Sequence, residues 1–182
     1  MKYLLFLAIK SQGKKARGFT LIELLVVVVI LGVLAAVGLP NLLGQVSKSR
    51  QAEAIAILGQ INRAQQAYRY ENGTFARLDQ LPIRGIDNAK FYTFSDYNTP
   101  SGNPPTLTPN NTLSSYRAQA KPEFGNDIKN YAGGVRLVPD GRLLPIICEA
   151  KSPLQDNVFV NGEAGCSSPD SIEVPPVVQP GN

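Results

Sequence analysis

The feature that most constrains this 182-residue chain is a long apolar run near its N-terminus. Sixteen consecutive apolar residues or glycines lie between Leu24 and Leu39, and the run widens to residues 19–43 with Glu23 as its only charged residue. Twenty-five residues in a helix can cross the roughly 30 Å hydrocarbon core of a bilayer. The sequence therefore predicts a membrane-spanning helix over residues 19–43.

Positive charge is concentrated before this run. Five of the 18 Lys and Arg precede residue 18 and none of the 14 acids does, so the remainder carries 13 basic and 14 acidic side chains. The basic character thus belongs to a leader, residues 1–18, and no specific nucleic-acid partner is predicted. An excess of Lys and Arg on the N-terminal side places the N-terminus in the cytoplasm.

A conventional secretory signal fits these residues poorly. Such a signal has an apolar core of about 7–15 residues that ends at a small-x-small cleavage site. The run here is too long, and the nearest small-residue site, Gly32 to Ala36, lies inside it. The earlier apolar stretch, Tyr3 to Ile9, is short for this class of signal and is followed by Lys14, Lys15 and Arg17.

The helix is predicted to continue beyond the membrane, to about Glu71. An apolar stripe at spacings of three and four residues indicates an amphipathic helix over residues 44–72 that packs against its own domain. Asn72-Gly73 is a plausible helix end. Pro40 lies inside the helix and is expected to kink it, the alternative being that Pro40 ends it.

The rest of the chain is predicted to form a small β-sheet domain over residues 73–166 and a Pro-rich flexible tail over residues 167–182. Pro139-Asp140-Gly141 separates two apolar segments and indicates a hairpin. The four predicted strands are Lys90 to Tyr97, Ser115 to Ala120, Tyr131 to Val138 and Arg142 to Glu149.

The composition argues against an enzyme. The chain has no His, which removes the commonest general base and metal ligand and excludes Ser-His and Cys-His nucleophile pairs. Asp156, Glu163 and Asp170 lack a regular calcium-ligand spacing. We therefore predict no catalytic residues, no metal site and no cofactor.

The stretch Gly18-Phe19-Thr20-Leu21-Ile22-Glu23, followed by the apolar run, carries the functional information. An acid near the head of a membrane helix is energetically costly and indicates a functional role with a partner. The stretch resembles the processing site of type IV prepilins. The resemblance implies that a prepilin peptidase cleaves after Gly18 and methylates the new amine of Phe19.

The same resemblance implies the role of Glu23, which would pair with the Phe19 amine of a neighbouring subunit during assembly. Gly32 and Pro40 fall where pilin helices typically have a Gly and a Pro. The segment from Gln51 to Ala76 is similar to cyanobacterial pilins and to the pilin-like G and H family linked to general secretion. The implied fold class is α+β, with a long helix packed on a small antiparallel sheet.

Two cysteines, Cys148 and Cys166, lie late in the chain. An even pair in an exported protein predicts one disulfide, which would bound a C-terminal loop. Two free buried thiols are the alternative.

Three functions remain open from the sequence. The sequence favours the first, a type IV pilus subunit for adhesion, motility or DNA uptake, which starts in the cytoplasmic membrane and ends in an extracellular homopolymer with other pilins. The second is a minor pilin or a pseudopilin of a type II secretion system. Both require the membrane, a prepilin peptidase and an assembly machinery as partners. The third is a membrane-anchored binding protein.

Overall fold

A computed structural model of the chain describes residues 19–97, 109–156, 158–161, 165–166 and 171–175. The chain divides into two compact units between Leu42 and Leu43. One α-helix, α1, runs from Leu21 to Asn72 and contributes residues to both units. The predicted long helix is therefore confirmed, and Pro40 does not end it.

The C-terminal end of α1 follows the predicted pattern. Gly73 has a φ of +73°, and its N–H donates to the carbonyl of Arg69 at 2.9 Å. The Arg69 guanidinium in turn donates to the carbonyl of Gly73. A residue in the left-handed conformation at this position lets the chain turn away while the last helical carbonyls stay bonded.

The second unit contains a five-stranded antiparallel sheet in the order β1-β2-β3-β4-β7 and a separate two-stranded sheet of β5 and β6. The strands are β1 Tyr92–Asp96, β2 Leu113–Ala120, β3 Tyr131–Leu137, β4 Leu143–Ala150, β5 Val160–Asn161, β6 Gly165–Cys166 and β7 Ser171–Glu173.

The four strands that the sequence predicts are confirmed, and so is the β3–β4 hairpin. Its turn is closed by the N–H of Val138, which donates to the carbonyl of Arg142 at 3.0 Å, and Gly141 takes a φ of +86°. The Arg142 N–H also donates to the Asp140 carboxylate, and this bond lowers the pKa of that carboxyl below its usual value.

The structure differs from the prediction in the C-terminal segment. The sequence predicts a disulfide-bounded loop that ends at Cys166 and a flexible tail from Ser167. In the structure, Ser171–Glu173 instead pairs with β4, and Glu173 lies opposite Cys148. Strands of two or three residues have no periodic pattern to detect. The pairing of β7 is decided by the free edge of β4, which only the folded sheet supplies, while β5 and β6 pair with each other.

One face of the sheet packs against α1. Ala54, Leu58 and Ile61 of the helix are fully buried in a cluster that includes Tyr116 and Tyr131 of the sheet. The apolar stripe predicted to pack against the domain's own sheet is thereby confirmed. A second cluster, on the other face of the sheet, is formed by Leu113, Ala132, Ile146, Cys148, Ala150, Val158 and Val160.

Two glycines in β3 allow both faces to be covered closely. A Cβ on Gly133 would lie 2.9 Å from Leu58 Cδ2 on the helix side and 2.6 Å from the Tyr116 ring. A Cβ on Gly134 would lie 2.5 Å from the Ser114 carbonyl oxygen and 3.2 Å from Val160. Side chains at these positions would force the neighbouring elements apart.

Polar side chains on the buried face of α1 also tie the helix to its domain. Asn62 donates to the carbonyl of Ile146 at 3.2 Å, and the Gln65 amide both donates to the Ala76 carbonyl at 2.6 Å and accepts from the Ala76 N–H at 3.0 Å. Burial raises the pKa of the Tyr116 hydroxyl, which donates to Asn62. These bonds satisfy groups that would be costly to bury unpaired.

A disulfide joins Cys148 in β4 to Cys166 in β6, 18 residues apart. The predicted bond is confirmed. It closes the loop that carries Val158 and Val160 and holds their side chains against the second cluster.

Substitution of Gly134 by Ala is expected to destabilise the domain by about 1–3 kcal/mol, because the added methyl meets a backbone oxygen that cannot rotate away. The measurement is the thermal unfolding midpoint of the full chain in detergent. Gly125→Ala is the matched control, since its Cβ would make only ordinary contacts of 3.7–3.9 Å. Equal midpoints for the two variants would contradict the close approach at β3.

Reduction of the Cys148–Cys166 bond is expected to lower the stability of the domain by about 3 kcal/mol, because the unfolded chain regains the freedom of an 18-residue loop. Thermal unfolding with and without reductant measures the effect. A variant with both cysteines replaced by Ala controls for other actions of the reductant. An unchanged wild-type midpoint would show that the disulfide contributes nothing.

Candidate assembly site

The residues of the predicted processing site lie at the start of α1. Gly18 is outside the described residues, and Phe19 is the first residue that the structure describes. The Phe19 side chain is 78% exposed, so no part of the described fold covers it. A cleavage after Gly18 stays a prediction, and so does methylation at Phe19.

Glu23 is engaged by its own helix terminus. The Thr20 N–H and the Thr20 hydroxyl both donate to Glu23 Oε2, at 2.9 and 2.8 Å, and the Glu23 N–H lies 3.3 Å from Thr20 Oγ1. This is a capping box, in which an N-cap Thr and a Glu three residues later satisfy each other's backbone N–H groups. A negative charge in the first turn also complements the helix dipole.

The capping box was not recognised from the sequence, although its signal was present. Thr20-Leu21-Ile22-Glu23 has the Ser/Thr-x-x-Glu spacing ahead of an apolar run. From the sequence, Glu23 is expected only to pair with the Phe19 amine of a neighbouring subunit. The structure gives the same carboxylate a local role in the single chain, so assembly through Glu23 stays a prediction.

The apolar run after Glu23 is exposed throughout its described length. Its large side chains range from 45% exposed at Val27 to 68% at Val37. This is also the helix that is long and apolar enough to span a membrane, by length and composition. A continuous apolar surface of this size is rare on water-soluble monomers and marks contact with lipid or with another protein.

Small residues interrupt this surface. Apart from the adjacent residues and the backbone of the helix itself, no described atom lies within 4 Å of the position that a Cβ would take at Gly32 or Gly38. Glycine and alanine at a helix surface allow a second helix to approach closely. The kink predicted at Pro40 is neither confirmed nor contradicted by the continuous helix and stays a prediction.

The described part of the sheet domain was also compared with the residue groups that bind metals or form aromatic platforms. Within the described residues, no three His, Cys, Asp or Glu side chains are grouped so that they could hold a metal ion. Tyr92 and Tyr97 are buried, and Phe91 and Phe94 pack against the first core cluster. These aromatic residues therefore serve packing and do not form an exposed platform.

Comparison with known proteins agrees with these features. The model of the family "Type IV pilin-like G and H" matches residues 51–166, and the prokaryotic N-terminal methylation motif matches residues 13–39. No solved structure matches the chain. The two family models together cover the processing site, most of α1 and the sheet domain.

Individual relatives share a shorter stretch. The type II secretion system core protein G of Vibrio cholerae is 42% identical over 70 residues, which is 38% of this chain and 48% of that protein. The same protein of Pectobacterium carotovorum is 38% identical over 70 residues, 38% of this chain and 45% of that protein. The type IV major pilin protein PilA of Myxococcus xanthus is 42% identical over 60 residues, 33% of this chain and 27% of that protein.

The chain thus spans less than half the length of the curated relatives it matches. The family model, in contrast, covers well over half of the chain and includes the sheet domain and both disulfide cysteines. The methylation motif overlaps the first part of α1, and the G and H model covers the part of the chain in which α1 packs on the antiparallel sheet. The chain belongs to the type IV pilin-like G and H family.

Proposed function

We propose that the chain is a filament subunit of the pseudopilin kind, cleaved between Gly18 and Phe19 and polymerised through α1. The observation that carries this proposal is the exposed apolar surface of α1, headed by Phe19 and Glu23. In the membrane this surface contacts lipid, and all backbone groups of the helix are bonded internally. In a polymer the same surface contacts the helices of neighbouring copies.

The charges on either side of the apolar run support the orientation of the precursor. Lys14, Lys15 and Arg17 precede the apolar run closely, while Lys48 and Arg50 follow it. The larger basic excess lies on the N-terminal side, so the leader stays in the cytoplasm and the sheet domain lies on the other side of the membrane. Removal of the leader then releases the charge that holds the helix in place.

Assembly requires a partner for the Glu23 carboxylate. Inside a bundle of apolar helices an unpaired carboxylate would be strongly disfavoured. Cleavage after Gly18 creates an amine at Phe19, and the Phe19 amine of a neighbouring copy can supply the opposite charge. The capping box holds Glu23 at the end of the helix until then.

Of the two filament functions, the pseudopilin of a type II secretion system has the better support. The relatives named core protein G match 38% of this chain, and the major pilin PilA matches 33%. The family model that covers the sheet domain is also the G and H model. We therefore place the pseudopilin first and the pilus subunit second, which reverses the order that the sequence favoured.

The pilus subunit remains the second candidate because PilA shares 42% identity over its matched stretch. Deletion of the gene distinguishes the two functions. Loss of folded proteins from the culture medium, with surface filaments intact, supports a pseudopilin. Loss of surface filaments, with secretion intact, supports a pilus subunit.

The mature protein is expected to begin at N-methyl-Phe19 and to be two hydrogens lighter than the reduced chain, because of the Cys148–Cys166 bond. Intact-mass and N-terminal analysis of the protein from envelope and sheared fractions measures both. Gly18→Val is the control, because a bulky residue in place of Gly18 is expected to leave the precursor uncleaved. A wild-type protein that still begins at Met1 would contradict the proposal.

Glu23→Gln is expected to insert and be processed but to assemble poorly, because Gln keeps the capping geometry and loses the charge. Glu23→Ala loses both and is expected to assemble as poorly. Thr20→Ala, which removes the hydroxyl cap and keeps the charge, is expected to assemble. The measurement is the yield of multimers after chemical cross-linking of whole cells. Normal multimers from Glu23→Gln would show that Glu23 serves only the cap.

A further inference from the structure

We propose that Cys166 is the redox-active cysteine of the disulfide, through which a dithiol–disulfide oxidoreductase closes and opens the bond, while Cys148 is the resolving cysteine. The inference goes beyond the filament function. It takes from that function only the location of the sheet domain outside the cytoplasm, where disulfides form and persist. It gives different roles to two sulfur atoms that the sequence leaves equivalent.

The Sγ atom of Cys148 is closed to any attacking group. Cys148 lies in the interior of β4, opposite Ala132 of β3 on one side and Glu173 of β7 on the other, and the whole residue is 0% exposed. Its side chain belongs to the second cluster, in which Val158 and Val160 are also buried. The thiol of another protein cannot reach this sulfur unless the packed cluster opens.

Cys166 has a more open position. It lies in β6, a strand of two residues that pairs with the equally short β5. The residue is partly exposed and packs against the second cluster without being enclosed by it. The two ends of the bond therefore differ in access, and only the Cys166 end can be approached from solvent.

This difference in access gives thiol–disulfide exchange a direction. An attacking thiolate forms a bond to one sulfur, and the other sulfur leaves as a thiolate. Attack on the Cys148 sulfur would have to come from inside the apolar cluster, so attack falls on Cys166 and Cys148 leaves. A thiolate is disfavoured in apolar surroundings, so the opening of the bond is expected to be slow.

Closing the bond follows the same path in reverse. The Cys166 thiolate attacks the disulfide of the oxidoreductase, forms a mixed disulfide and releases one of the two cysteine thiolates of that protein. The Cys148 thiolate then attacks the Cys166 sulfur and displaces the second thiolate. Two thiols of this chain are thereby oxidised, the disulfide of the oxidoreductase is reduced to a dithiol, and the two protons pass to that dithiol.

The redox state of Cys166 would control how one face of the sheet is covered. The bond closes the 18-residue loop that carries Val158 and Val160 over the second cluster. When the bond opens at Cys166, this loop is no longer tied to β4, and the apolar side chains beneath it can become exposed. The bond thus acts as a redox-sensitive clasp on the sheet domain.

Single-cysteine variants of the full chain in detergent test the assignment. Cys148→Ala leaves Cys166 as a thiol, and Cys166→Ala leaves Cys148. In native buffer, a polyethylene-glycol maleimide is expected to label Cys166 at least roughly tenfold faster than Cys148, because labelling follows exposure and thiolate character. In denaturant, the matched control, the two rates are expected to be similar. Equal native rates, or faster labelling of Cys148, would overturn the assignment.

A second measurement needs no substitution and so covers variants that fold poorly. The oxidised wild-type chain is treated briefly with reduced glutathione, quenched with acid and mapped by mass spectrometry of its peptides. The glutathione adduct is expected on Cys166, with Cys148 as the free thiol. Adducts shared equally between the two cysteines, or found mainly on Cys148, would overturn the proposal. Neither measurement involves cleavage or assembly, so failure here leaves the filament function standing.

Discussion

The exposed apolar surface of α1 is the constraint on which the rest of the molecule depends. Residues 21–43 place about six turns of largely apolar helix in the chain with one carboxylate near their start, and every large apolar side chain whose burial is described there is exposed. This surface is stable in lipid or against other helices and not in water. The capping box between Thr20 and Glu23 fits this situation, because it satisfies the helix terminus and the charge locally while the chain is a monomer.

In the sheet domain, a small β-sheet is held firmly against the second half of the same helix. Gly133 and Gly134 remove side chains where the sheet is approached from both faces, so that Leu58 can contact one face and Val160 the other. Asn62 and Gln65 then bond to backbone groups outside the helix. Apolar packing is non-directional, whereas these polar bonds fix the position of the helix along the sheet.

Apolar contacts and charged contacts would both act between subunits in a polymer, and they differ in how strictly they define the arrangement of neighbouring subunits. The apolar helix surface supplies most of the area and little direction, because one branched aliphatic side chain can replace another. A charged group supplies direction, since the Glu23 carboxylate would need an opposite charge beside it in an apolar bundle.

The sequence by itself determined the long helix with its apolar first half, the four main strands, the β3–β4 hairpin and the disulfide, because each has a local signal in periodicity, turn residues or cysteine count. It did not reveal the strands β5 to β7, since Ser171–Glu173 pairs only because β4 offers a free edge. It also missed the buried roles of Asn62 and Gln65, which read as ordinary polar residues of a helix. Only the tertiary structure decided these strand pairings and buried positions. A polar side chain can be buried without penalty only where a hydrogen-bond partner, such as the carbonyl of Ile146 or Ala76, lies within bonding distance.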